Sequence, residues 1–215
     1  MTTSYVPEHT AVLLIDPYND FISEGGILWP MLKESAEEIG LIENLRQIVA
    51  GARSFGASLI WVPHRRWREG DYDGWRFLNP AQTNIRNRHF FAAGEWGGQW
   101  HPDFVPGPGD IVAGEHWAQS GFSNTDLEYQ LKQHGITHVI AVGLLANTCV
   151  ESTGRFAMEL GYHVTLVTDA TVAIKPEALQ ASNTLNGPTY AHALMTSAEL
   201  IKTWDSADID AKLSA

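Results

Sequence analysis

The residues of this chain best suited to chemistry are its only cysteine, Cys149, and two acidic positions, Asp16 and Glu115. Cys149 lies in an apolar, β-branched run that starts near Val139, breaks at Gly143 and resumes near Thr148. From there Val150, Thr153, Phe156, Ala157 and Leu160 recur at helical spacing, and Gly161 closes the pattern. The cysteine thus sits where a strand hands over to a helix, with Asn147 or Thr148 able to cap the first turn. The positive end of a helix favours a thiolate, and the thiolate is the nucleophile. The competing expectation is a small buried hydrophobe. Asp16 ends the apolar run 11–15, and Pro17 stops it. Ligands of open parallel sheets bind beyond the carboxyl ends of the strands, which places this aspartate for acid–base work. Glu115 and His116 follow a short third strand at 110–113 in the same way. A nucleophile, a base and an electrostatic partner at the ends of three neighbouring strands are what covalent acyl chemistry needs.

The elements that must hold these groups alternate. Leu41, Leu45, Ile48, Val49, Ala52 and Phe55 share one helical face that Gly56 ends, and 58–62 is the second strand. A strand, a helix and a second strand imply a right-handed parallel crossover. The pattern then fails over 63–109, a segment carrying Trp67, Trp75, Trp96 and Trp100. A loop of that length inside a compact domain is a lid, a pocket wall or a subunit contact, with some short helix. Beyond it the sequence predicts a helix near 125–133 capped by Ser123 or Asn124, and a strand at 163–167 followed by Asp169. A helix then starts at Pro176, a strand covers 193–195, and Ser197 caps a terminal helix carrying Leu200, Ile201 and Trp204. The tail, 205–215, reads as polar and loose. The result is one α/β domain over 1–215, a three-layer α/β/α sandwich with a mostly parallel, Rossmann-like sheet.

Composition narrows the function classes. A formal net charge of −11 argues against nucleic acid or an anionic membrane as partner. One cysteine excludes an internal disulfide framework and a multi-thiol metal site, and fits a reducing, cytoplasmic compartment. No run is long enough to span a membrane, and the first ten residues lack a signal pattern. No glycine-rich phosphate loop follows the first strand, which argues against a nucleotide cofactor.

Several stretches in order resemble the isochorismatase-like cysteine hydrolases, the superfamily of nicotinamidases, N-carbamoylsarcosine amidase and ureidoacrylate amidohydrolases. They are Leu13-Leu14-Ile15-Asp16 with Asn19-Asp20-Phe21, Ser120-Gly121-Phe122 with Thr125-Asp126-Leu127, Val142 through Thr153 around Cys149, and Leu160-Gly161-Tyr162-His163-Val164 with Asp169-Ala170. The resemblance implies a cofactor-independent hydrolase in which Cys149 attacks an amide carbonyl and forms a thioester, and Asp16 moves the proton. Backbone N–H groups of Leu145 and Cys149 would form the oxyanion hole, after a cis peptide between Leu144 and Leu145. Such a donor is typically worth roughly 100- to 1,000-fold in rate. It also implies a small-molecule substrate and a homo-oligomer, dimer or tetramer.

Three departures stand out. The family's lysine after the third strand is missing. Matching the strand favours Glu115 at its place, and counting back from Phe122 gives His116. Glu115 beside Asp16 would share a proton, raising one carboxyl and opposing the thiolate. Metal-binding nicotinamidases carry an aspartate two residues before a histidine after the second strand; here Val62 precedes His64, so no catalytic metal is expected. Tyr18 stands where many members have glutamine. The expected substrate-lining residues are Tyr18, Phe21, Trp29, His64, His116 and Trp117. The alternatives are an isochorismatase-type hydrolase of a small carboxylic-acid ether and a catalytically silent binding homologue.

Overall fold

A computed structural model describes residues 4–214, with side chains through Ser206. The strands are β1 (Thr10–Ile15), β2 (Ser58–Val62), β3 (Ile111–Val112), β4 (His138–Leu144), β5 (His163–Val172) and β6 (Ala193–Met195). They form one parallel sheet in the order β3-β2-β1-β4-β5-β6. The helices are α1 (Asn19–Ile22), α2 (Trp29–Ile39), α3 (Leu41–Phe55), α4 (Pro80–Arg88), α5 (Leu127–Gln133), α6 (Glu151–Glu159), α7 (Pro176–Ala181) and α8 (Ser197–Ser214).

Side-chain parity along the central strands divides the core in two. Val12, Leu14, Trp61, Ile140 and Val142 face α2, α3, α8 and the aromatic insert. Leu13, Ile15, Ile60, Val62, Val139 and Ala141 face α5 and α6. Every residue of β1 is buried, as expected of a parallel strand covered on both faces. This is the three-layer α/β/α arrangement read from the alternation of elements. α8 packs on α3: Trp204 stacks on Phe55 at 5.5 Å and crosses at Gly51, where a Cβ would stand 3.1 Å from the indole.

Several local expectations need correction. α2, a helix absent from the sequence reading, opens at Trp29. α5 begins after Asp126 without a side-chain cap, so neither Ser123 nor Asn124 serves. Nor does Asn147 or Thr148 cap the turn at the cysteine; Ala146–Val150 is a π-helical turn that follows extended Leu145. At α8 the reciprocal cap is made by Thr196 and Glu199. Ser197 instead donates through both its N–H and its hydroxyl to Asp169, a bond that fits the bulged continuation of β5 past Val167. The tail expected to be loose falls, beyond Ser206, outside the described side chains.

The insert is more ordered than its composition implied. Asn79 and Gln82 form a capping box with Pro80 at the first helical position, and α4 follows. Asp20 in α1 then ties the insert down, accepting from the Phe91 N–H as well as from the Ile27 N–H.

Candidate active site

Asp16 stands just past β1 in a left-handed conformation, φ 54°, that aims its fully buried carboxylate across the sheet end. Left-handed backbone at a non-glycine residue is uncommon and is met at functional sites. Oδ1 accepts from the His64 N–H at 2.6 Å and lies 3.2 Å from His116 Nε2. Oδ2 is buried without a hydrogen-bond partner. Cys149 enters from the turn after β4, the strand next to β1. Donor atoms of Asp16, His116 and Cys149 lie within 4.8 Å of one another. Leu144–Leu145 is a cis peptide, as the resemblance implied, and the Leu145 N–H is directed at the sulfur. Glycine is required just before it: Gly143 has φ 110°, and a Cβ there would stand 2.1 Å from the Ile15 carbonyl.

The side chain that the structure brings to Asp16 and Cys149 is His116, and Glu115 is not brought to them. β3 is not adjacent to β1, because β2 lies between them. Parallel pairing resumes past the strand ends, with His116 donating to Pro63 O and Arg65 to His116 O, which sets His116 opposite His64. Successive residues of an extended segment point to opposite sides. His116 therefore turns inward, fully buried, and Glu115 turns away from it. Glu115 is held by Arg65, Arg66 and Arg68 at 3.3, 2.9 and 3.1 Å. Burial pushes its carboxyl up, but hydrogen bonds and charge from Arg66 and Arg68 outweigh this and leave it below the usual range. The expected proton sharing between Glu115 and Asp16 does not occur.

His116 Nδ1 lies 3.1 Å from the Ala118 carbonyl, which can only accept, so this nitrogen carries a hydrogen. Nε2 faces Asp16. Burial, then the neighbouring His116, lower His64 to about 4 despite Asp16, so His64 is neutral near pH 7. The thiol also departs from expectation. Burial, and next the charge of Asp16, raise Cys149 well above its ordinary value. A π-helical turn whose residues are mostly buried does not supply the thiolate that a capped helix start would have favoured.

A cavity of about 380 Å³ opens onto the sulfur. Phe21, Leu28, Met31, Ile85, Phe90 and Phe91 give it apolar walls, and His64, Leu145, Thr148 and Cys149 form its inner end. Arg88 at the end of α4 lines it too, with its guanidinium 5.0 Å from the Phe90 ring. Of the expected substrate-lining residues, Phe21 and His64 reach the cavity. Tyr18 does not: it is fully buried between Phe91 and Trp100, and its hydroxyl donates to His64 O. Trp29 is occupied with Glu24, and Trp117 lies under Arg65. His116 touches Asp16 behind the cavity wall. The α4 contributions, Ile85 and Arg88 among them, escaped the sequence reading; Asn79-Pro80 with Gln82 was the signal for that helix.

The family model for the isochorismatase domain matches residues 10–199. The chain belongs to the isochorismatase family. Among curated relatives, the ureidoacrylate amidohydrolase RutB of Enterobacter sp. (strain 638) is 32% identical over 198 residues, covering 87% of this chain and 85% of that one. A cysteine hydrolase from Pseudomonas syringae pv. phaseolicola 1448A shares the fold, with a TM-score of 0.80 at 22% identity over 96% and 97% of the two chains. N-carbamoylsarcosine amidase from Thermoplasma acidophilum aligns with a TM-score of 0.65 at 26% identity, over 87% of this chain and 96% of that one. The hydrolase reading of the isochorismatase-like pattern holds. No helix among the described residues is long and apolar enough to cross a membrane.

Proposed function

We propose that this isochorismatase-family protein hydrolyses a small amide of the carbamoyl or ureido type, with Cys149 as nucleophile and no cofactor. The observation that carries this is the convergence of Cys149, Asp16 and His116, with an unpartnered buried carboxylate oxygen available for the thiol proton. Asp16 takes that proton as sulfur attacks the carbonyl carbon, so no standing thiolate is needed. The developing oxyanion accepts from the Leu145 and Cys149 N–H groups. Asp16 returns the proton to the leaving amine, then takes one from the water that opens the thioester. His116 takes the place for which the family pattern uses lysine, with Nε2 3.2 Å from the Asp16 carboxylate that it orients. Arg88 suits a carboxylate on the substrate, and the apolar walls suit its unsaturated or alkyl portion.

The test is ammonia release from a panel of carbamoyl and ureido acids, with Cys149→Ala as the control. Turnover by the native chain, lost in the variant, is expected, with an acyl-enzyme mass adduct on Cys149. Full turnover by Cys149→Ala refutes the mechanism. We read the chain as one cytoplasmic domain that works as a dimer or tetramer. Phe77 and Leu185, 80% and 70% exposed, are apolar surface suited to such contacts. Sedimentation velocity giving a monomer would dismiss the oligomer.

A further inference from the structure

An ammonium in the third position cannot ligate a metal, whereas an imidazole can. Among the described residues, Asp16, His116 and Cys149 are the group of His, Cys, Asp and Glu side chains whose donor atoms converge, and all three are buried. We propose that they form a site for a thiophilic divalent cation, zinc above all, which shuts the enzyme down reversibly.

Four observations support this. First, the ligand set is one zinc favours: a sulfur, an imidazole nitrogen and a carboxylate oxygen, with two negative charges to match the ion once the thiol ionises. Second, the spacing is close to what is needed. Zinc–ligand distances of about 2.0–2.3 Å in a tetrahedron put N and O roughly 3.3 Å apart and S roughly 3.6 Å from either. His116 Nε2 and Asp16 Oδ1 are already 3.2 Å apart, and the sulfur lies within 4.8 Å. Third, the Nδ1–H bond from His116 to the Ala118 carbonyl fixes the tautomer that leaves Nε2 for the ion, the outer contact that metal-bound histidines make. Fourth, Asp16 Oδ2 is a fully buried acceptor lacking a hydrogen-bond partner. The cavity opens onto the Cys149 sulfur and provides the entry path.

Binding displaces the thiol proton into solvent, and Nε2 offers its lone pair to the ion. The ion then occupies the sulfur lone pair and the carboxylate, the two groups the proposed hydrolysis uses. Coordination itself is independent of that hydrolysis; only the loss of turnover rests on it.

The experiment uses the full chain after dialysis against a chelator. Zinc is titrated in competition with a chelating dye, and cobalt(II) is added separately as a spectroscopic probe. One equivalent per chain is expected, with a near-ultraviolet thiolate-to-cobalt charge-transfer band. Cys149→Ser should abolish the band. His116→Gln should weaken zinc on the order of 100-fold, at least the loss seen for outer-shell contacts. Circular dichroism identifies a variant that has failed to fold, in which case His116→Lys replaces His116→Gln. Zinc bound equally by native, Cys149→Ser and His116→Gln chains, or cobalt bound without the band, overturns the site. If zinc binds as described but turnover is unchanged or raised, the inhibitory role is overturned. If zinc binds as described and no amide is turned over, the site stands and the proposed hydrolysis fails.

Discussion

Replacing Asp16 by asparagine separates two consequences of one carboxylate. As the proposed base it would be needed for turnover; as a charge beside Cys149 it raises the thiol above its ordinary value. Asparagine has the same shape and can still accept from the His64 N–H, so the fold should persist, and a buried charge is removed. Turnover should fall by roughly 100- to 10,000-fold, the usual range for general acid–base catalysis. Alkylation should move the other way. Two unit charges within 4.8 Å interact by roughly 3.5 kcal/mol at an effective dielectric near 20. Removing that repulsion lowers the thiol and raises the thiolate population. A less basic thiolate is a weaker nucleophile, but the gain in population outweighs this, and iodoacetamide should react on the order of tenfold faster. The assay is mass-spectrometric alkylation of Cys149 at pH 7.5 in native and Asp16→Asn chains, with thermal melts as the folding control. A folded variant alkylated no faster than the native chain would refute the electrostatic account. One that keeps turnover within tenfold would refute Asp16 as the base.

Arg88→Ala should raise KM about tenfold for amides that carry a carboxylate and leave kcat and neutral amides nearly unchanged; a uniform effect on both substrate classes would contradict its proposed role. Glu115→Gln should cost about 2 kcal/mol at pH 7 by urea unfolding, less than a fully buried pair because Arg68 is half exposed. Because Glu115 is lowered in the fold, its contribution is present above the unfolded value of about 4.3 and is lost as pH falls through the folded value. The native chain should therefore lose more stability than the variant on acidification below pH 4. His64, at about 4 in the fold, binds its proton in the unfolded chain first. Its neutral form contributes fully above about pH 6.5, and about 3 kcal/mol is lost as pH falls to 4. His138 and His163 are lowered by burial and act in the same sense. Urea midpoints at pH 7.5, 6 and 5 should decline, less steeply in His64→Gln; a flat profile would contradict the assignment.

The apolar runs 11–15 and 58–62, the helical face from Leu41 to Phe55 and the family pattern around Cys149 reported strand, helix and chemistry from the chain alone. Buried parallel strands and amphipathic helices leave local signatures, and those elements lie where the signatures put them. The identity of the third site residue was a different kind of question. Glu115 and His116 are neighbours in sequence, and which one turns inward depends on the bridge between the segment after β3 and His64. A one-residue change of register exchanges the two, and no local propensity records it. The cavity was hidden for the same reason: its wall combines α1, α4 and the turn at Cys149, distant in sequence, and Tyr18 and Trp117 were lost to it through packing. The state of the thiol also depended on packing, because burial and the facing carboxylate outweigh what a cysteine at a strand–helix junction favours locally.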